Sequence, residues 1–358
     1  MKDIKNLIRN LIIFLTLIVI TFYFIFRKQN INEVKDIIFS IDIKYLFIGI
    51  LAMIGYVFFE SLNIKSVLKS LGNKVSIFNT FRYTLIGFFF SGITPAASGG
   101  QPMEIYFMHK DGIPVSHGTL ALLVELISFQ LVIITSCILG AIINPHLLDN
   151  GVIYLFFAGL TLNLIALTTM LVCFLSEKLA KKIVNLFLDI LKFFRYKKVE
   201  EKRESIYKTL DSYTESAKII KKNKSIFIKS IFLVIIQMYV YYTIPYWVYR
   251  AFGLNSLGIF DIIFTQSLLF CSVSSIPLPG SVGISESAFI SIYSAIFGST
   301  LLTSATILNR FINFYSFIII ALICVIYSFI RVKKKDQLED DDWIWKDKYS
   351  RRINGFYE

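Results

Sequence analysis

Long apolar runs separated by short polar breaks fill most of the chain. Runs at about 7–26, 44–60, 77–94, 119–143, 151–175, 226–249, 258–274, 284–298 and 302–330 predict membrane helices. Several reach roughly 18 residues, enough to cross a hydrocarbon core. The stretch 95–118 is short and interrupted, and is a candidate for re-entry rather than crossing. The first run is too long for a signal-peptide core. It ends in Phe24-Ile25-Phe26-Arg27, with no small-residue cleavage site, so it reads as a retained span.

Two interruptions resemble each other. Pro95 is followed by Gly99, Gly100 and, nine residues after the proline, Glu104. Pro277 is followed by Gly280, Gly283 and, again after nine residues, Glu286, 182 positions further along the chain. The same shift lays 44–60 on 226–242 and 119–143 on 301–325, which suggests repeats at about 44–143 and 226–325. Lipid offers no partner to open backbone, so broken helices at membrane depth must be enclosed by protein or line a wet cavity. Matching Pro/Gly breaks in two halves are a pointer to a transport site.

Composition agrees with a membrane protein. The 358 residues are 55% hydrophobic and 17% charged, and the mean hydropathy is +0.65. Soluble domains carry about a quarter charged residues. The net charge of +12 is better explained by retained basic loops than by nucleic acid. Lys and Arg crowd into 177–225 and follow the last span, whereas 144–150 and 298–302 have none. Both termini and the 177–225 linker are therefore expected in the cytoplasm, although Arg27, Lys28 and Lys35 run against that pattern. The linker mixes Lys with Leu, Ile and Phe, which suits a helix on the inner membrane surface or an ordinary solvated connector. The tail 336–358, with Trp343 and Trp345, suggests no chemistry. Cys137, Cys173, Cys271 and Cys324 form no C-x-x-C pair, and His109, His117 and His146 are scattered. No disulfide, metal site or cofactor is expected. The fold class is an all-α polytopic membrane protein with inverted repeats and broken or re-entrant helices, occupying residues 1–335.

Ionisable residues inside apolar helices mark functional sites. Glu104, Glu125, Glu286 and Arg310 are the candidates, with Asn309 and Asn313 flanking the arginine, while Gln101, Gln237 and Gln266 are polar but uncharged. Glu125 and Arg310 occupy similar depths in the two halves. Either they pair with each other, or Arg310 holds a lipid phosphate. Gly99, Gly100, Gly280 and Gly283 permit unusual backbone conformations. They either expose N–H groups to an anion at a helix start or only allow tight packing. Glu104 and Glu286 are expected in or near a first helical turn, where the helix dipole favours a carboxylate. The enzyme signatures H-E-x-x-H, P-loop and G-x-S-x-G are absent.

With Pro95 to Glu104, Glu125, Pro277-Leu278-Pro279-Gly280 through Glu286, and Arg310, the chain resembles the flippase-like transmembrane family typified by the N-terminal region of lysylphosphatidylglycerol synthase, the multiple peptide resistance factor. The resemblance covers about residues 5–330. It implies translocation of phospholipid, such as lysyl-phosphatidylglycerol, across the bacterial cytoplasmic membrane, and a contribution to cationic-peptide resistance. It makes Gly99, Gly100, Glu104, Glu125, Gly280, Gly283, Glu286 and Arg310 the expected substrate contacts. Full-length relatives continue into a transferase domain. This chain ends soon after its last span, so that activity is not expected. Two departures bear on the headgroup: Leu126 follows Glu125 where relatives have Arg, and 101–104 contains no basic residue. The expected partners are membrane phospholipid, a separate lipid synthase and, in a homo-oligomer, other copies of the chain. The rival readings are a subunit of a lipid-modifying enzyme and a carrier of polyprenyl-linked lipid or a small solute.

Overall fold

Polar punctuation sets the helix boundaries. The computed structural model describes residues 31–148, 152–179, 181–182, 184–185, 199–274, 276 and 278–333, with Thr16 and Tyr23. Apart from Thr16 and Tyr23, the expected span 7–26 lies outside the described residues, as do 186–198 of the linker, Pro277 and the tail 336–358. In chain order the helices are α1 (Ile31–Phe39), α2 (Ile43–Ser70), α3 (Ile77–Ile93), α4 (Gly100–Lys110), α5 (Val115–Ile143), α6 (Val152–Leu175), α7 (Val199–Lys222), α8 (Lys224–Tyr242), α9 (Ile244–Ala251), α10 (Ile259–Ser274) and α11 (Ile284–Arg310). A π-helical turn, Phe311–Tyr315, joins α11 to a last helix, α12, over 316–333. No strand occurs among the described residues.

Among the described residues, five helical stretches are long and apolar enough to cross a membrane: Ile43–Ser70, Val115–Ile143, Val152–Leu175, Lys224–Ala251 and Pro279–Lys333. Their outer faces carry large apolar side chains in the open, among them Phe47, Ile142, Ile165, Phe232 and Ile323. Polar side chains such as Asn63, Asn163, Gln237 and Asn309 are buried. Hydrocarbon around the bundle accounts for this arrangement, because apolar patches of that size are rare on a water-facing monomer.

Several spans differ from their sequence outlines. The run 44–60 continues as helix to Ser70, which places Glu60 inside the helix rather than at its end. The helix stops where Gly72 takes φ +85° and Asn73 N–H donates to the Leu68 carbonyl at 3.0 Å, as in a Schellman end. The run 226–249 is two helices meeting at Thr243 and Pro245. The apolar runs 284–298 and 302–330 form one interrupted rod, broken where Gly298 adopts φ 64° and ψ 172°.

Two helical hairpins organise the centre. In the first, α3 returns as α4: Arg82 pairs with Asp111, Gly87 lies against Glu104, and Gly100 lies against Ser91. The partners descend on one arm as they rise on the other, so the arms are antiparallel. With 11 residues, α4 reaches about 16 Å, roughly half a hydrocarbon core. Alone, α4 is therefore too short to cross. In the second hairpin, α10 turns at Pro279–Ser281 into α11, and Tyr293 donates to Gln266 at 3.1 Å across its arms.

Helix α5 shows how the hairpins are directed. Gly118, near its start, packs on Met108 and Ile105 at the base of the first hairpin. Gly140, near its end, packs on Phe264, Ser267 and Leu268 at the base of the second. The hairpins thus enter from opposite ends of α5, and their 3₁₀ tips, Pro95–Ala97 and Pro279–Ser281, touch. Helix α2 packs antiparallel to α8 and α9, with Gly49 against Trp247 of α9, Gly55 against Val240 of α8 and Glu60 bonded to Gln237 of α8.

The linker helix α7 docks on the bundle instead of standing free. Ser212 bonds Ser116 of α5 at 2.9 Å, and Lys221 Nζ donates to the Leu175 carbonyl of α6 at 3.0 Å. Its buried residues include Leu210, Ala217 and Ile220.

A close backbone seam joins α6 to α10. At Gly159 a Cβ would collide with the Cys271 carbonyl oxygen and Ser272 Cα, while Asn163 Nδ2 donates to that same carbonyl at 3.2 Å. Gly159→Val is expected to destabilise the protein by roughly 1–3 kcal/mol through overpacking. Thermal unfolding in detergent should show a lower Tm, whereas Gly258→Ala, which meets only the Asp261 side chain, should not. An unchanged Tm for Gly159→Val would contradict this seam.

Candidate functional site

A polar cavity of about 550 Å³ opens where the two hairpin tips meet. Tyr56 and Glu60 reach it from α2, Ser91 from α3, Gln101 and Glu104 from α4, Glu125 and Gln130 from α5, and Tyr241 from α8. Gln266, Ser281, Asn309, Arg310 and Asn313 close the opposite wall. Every polar residue that the sequence singled out lines it except Gln237, which donates to Glu60 at 3.2 Å, and Glu286, which holds Arg310.

The second tip is built around one ion pair. Arg310 Nε donates to Glu286 Oε1 at 2.7 Å, and Arg310 Nη2 donates to the Gly280 carbonyl at 3.0 Å. Tyr315 donates to the same carboxylate oxygen at 3.2 Å. The other oxygen, Oε2, accepts the Gly283 N–H at 2.7 Å. The guanidinium also sits 4.5 Å from the Phe314 ring centroid, a cation–π distance. Arg310 therefore pairs with Glu286 and not with Glu125. Glu286 lies at the third helical position, as expected of a first-turn carboxylate, and caps its own helix.

The glycines divide by role. Gly280 and Gly283 adopt φ +58° and φ +87°, the left-handed region where a side chain is strained. Gly280 also lies directly under the Phe314 ring. Gly99 and the start of α4 are right-handed, with φ −88° at Gly99. They are small because a Cβ at Gly99 would meet Thr94 Cγ2 at 2.8 Å and one at Gly100 would collide with Ser91 Oγ. The left-handed residue of the first turn is instead Ala97, φ 53°. The Gly99 N–H donates to Thr94 Oγ1 at 2.9 Å, so the N–H groups of Gly99 and Gly283 are both taken by the protein. An anion cradle at those two positions is closed.

The turns also correct the register of the motif. Pro95–Ala97 corresponds to Pro279–Ser281, and the left-handed Ala97 to Ser281, φ 50°. Pro279, not Pro277, is thus the counterpart of Pro95, so Glu104 and Glu286 are not equivalent. Glu104 lies beyond the first turn of α4, is 4% exposed, packs against Gly87, and leaves Oε2 without a partner.

Three carboxyls, Glu60, Glu104 and Glu125, face the cavity with no Lys or Arg bonded to them among the described residues. The amide oxygens of Asn309 and Asn313 are also unpartnered. Glu60 escaped the sequence reading because the apolar run was closed at that residue. Its signal was a lone acid followed by Ser61, Asn63 and renewed apolar positions. The site offers acceptors on one side and one restrained cation, Arg310, on the other.

An apolar cavity of about 520 Å³ adjoins the polar one, sharing Gln101 and Leu126 with it. Ile105, Val115, Leu122, Leu123 and Leu210 line this second space between α4, α5 and α7. At the base of the first hairpin Tyr83 donates to Asp111 at 2.5 Å, beside the Arg82–Asp111 pair.

A family model described as the lysylphosphatidylglycerol synthase TM region matches residues 9–321. A UPF0104 membrane protein of Archaeoglobus fulgidus is 26% identical over 297 residues, covering 82% of this chain and 89% of that protein.

Removing one member of the Glu286–Arg310 pair strands a buried charge, at a cost of about 3–5 kcal/mol. Glu286→Ala and Arg310→Ala should each lower Tm sharply in detergent, and the double variant should lose less than the two losses combined. Strictly additive losses would contradict the pairing.

Proposed function

Because the chain belongs to the lysylphosphatidylglycerol synthase transmembrane-region family, we propose that it moves phospholipid between the leaflets of the cytoplasmic membrane. The cargo is a phospholipid with a cationic headgroup, of the lysyl-phosphatidylglycerol type, whose export contributes to resistance against cationic peptides. The observation that carries this reading is the pair of adjoining cavities. One is polar and acceptor-rich, the other apolar, and they share a wall at Gln101 and Leu126. A lipid needs that division between headgroup and chain.

In this mechanism the headgroup enters the polar cavity while its acyl chains lie along the apolar one. Glu60, Glu104 and Glu125 take the ammonium groups by charge-assisted hydrogen bonds. Arg310 is the cation that lines the cavity among the described residues and faces the phosphate. Since two of its donors hold Glu286 and Gly280, Arg310 maintains the turn as well as facing the lipid. Arg310→Ala is consequently a poor test of binding alone, and Glu125 is the better one.

We read the halves as inverted repeats, supported by the antiparallel packing of α2 on α8 and the opposed hairpins. With the basic linker cytoplasmic, the α3–α4 hairpin enters from inside and the α10–α11 hairpin from outside. Each tip then blocks the path from its own side, and alternate loosening of the two tips would give alternating access.

The test is a liposome assay with fluorescent lysyl-phosphatidylglycerol and phosphatidylglycerol. Purified protein should expose inner-leaflet lysyl-phosphatidylglycerol to an impermeant quencher. Glu125→Ala, with an unchanged Tm, should slow this roughly tenfold or more, in line with losing a charged hydrogen bond. Loss of neither lipid's inner-leaflet signal with folded protein would refute the proposal.

A further inference from the structure

We propose that the chain exchanges protons for its cationic cargo: the carboxyls of Glu60, Glu104 and Glu125 carry protons while the cavity lacks a cation, and release them when an ammonium headgroup enters. This rests on the lipid-translocation reading above. The arrangement of charge around the cavity carries it. Arg310 is already neutralised by Glu286 at 2.7 Å, and Tyr315 adds a further donor to that carboxylate. The other titratable groups on the walls are the phenols Tyr56 of α2 and Tyr241 of α8; α3, α6 and α10 contribute none. Three acids from α2, α4 and α5 therefore share one membrane-enclosed space without a compensating base among the described residues.

A second, independent observation points to a donor as the missing partner. Asn309 and Asn313, 3% and 6% exposed, line the same cavity with amide oxygens that bond nothing. Glu104 Oε2 is likewise unpartnered. Acceptors left bare on several helices call for N–H or O–H donors. A metal ion does not fit, because no three acidic, His or Cys side chains among the described residues are grouped to hold one. An ammonium headgroup does fit, and between cargoes protons serve instead, since like charges confined together and away from water cannot all stay ionised.

The balance is one proton per ammonium. Each ammonium entering from the cytoplasmic side displaces a carboxyl proton to water on that side. Each ammonium leaving outside is replaced by a proton taken from outside water. No bond other than O–H changes. An inward proton gradient would then drive the cationic lipid outward, and a headgroup without an ammonium would move no protons.

Proteoliposomes containing lysyl-phosphatidylglycerol or phosphatidylglycerol, with an entrapped pH-sensitive dye, test this. In the wild type, lysyl-phosphatidylglycerol movement should run several-fold faster toward the acidic side than at equal pH, and dye signal should report protons moving the other way. Phosphatidylglycerol should show neither effect. The isosteric variants Glu104→Gln and Glu125→Gln, with Tm checked, should lose the gradient response. Lysyl-phosphatidylglycerol moving at a rate indifferent to pH gradient, with no proton flux, would overturn the exchange while leaving translocation intact. Absence of movement of either lipid would overturn translocation and the exchange together. The wild-type flux decides the matter even if both variants unfold.

Discussion

A peptide group in hydrocarbon finds no water, and every interruption in this bundle has to answer for the N–H and C=O groups it frees. The two hairpin tips answer from inside the protein. Thr94 takes the Gly99 N–H, Glu286 takes the Gly283 N–H, and Arg310 takes the Gly280 carbonyl. These tips can lie at depth only because they touch each other and are walled by α2, α5 and α8. The cavity is the space left between them. Its polar lining and the breaks in the helices thus have one physical origin.

Charge follows the same logic. The buried cation is satisfied within one short stretch of chain, by Glu286, Gly280 and the Phe314 ring. The three cavity acids have no such arrangement. This asymmetry separates a pair bonded into its own turn from acids that face the cavity. The π turn directly after Arg310 adds a residue to the helical turn there. Such bulges recur at functional sites, and this one brings Asn313 to the cavity wall and the Phe314 ring over Gly280.

Membrane class and the positions of both breaks were legible in apolar runs and in Pro95, Gly99, Gly100, Gly280 and Gly283. Most of the cavity lining was legible too, since Glu104, Glu125, Arg310, Asn309 and Gln101 stand out against apolar neighbours. What failed was fine register. A repeated Pro-to-Glu spacing matched Pro95 with Pro277, whereas backbone shape matches it with Pro279. Spacing along a chain does not report which residue takes the left-handed conformation, and here Ala97 and Ser281 do so as well as Gly280 and Gly283. Pairing failed for a related reason. Glu125 and Arg310 share a depth, but depth says nothing of azimuth, and Glu286 was already placed by its own helix start. Glu60 was lost because the apolar run was closed at that residue, ten residues before the helix ends at Ser70.

The opposed hairpins carry a consequence for biogenesis. Glu60, Glu104 and Glu125 leave the ribosome well before Arg310 and the two asparagines that face them. Synthesis proceeds from the N-terminus, so the first hairpin must enter the bilayer with its tip unmet and its acids lacking their opposite wall. Closure awaits the last helix. A chain truncated before residue 310 would therefore lack Arg310 and Asn313 from the wall that faces Glu60, Glu104 and Glu125.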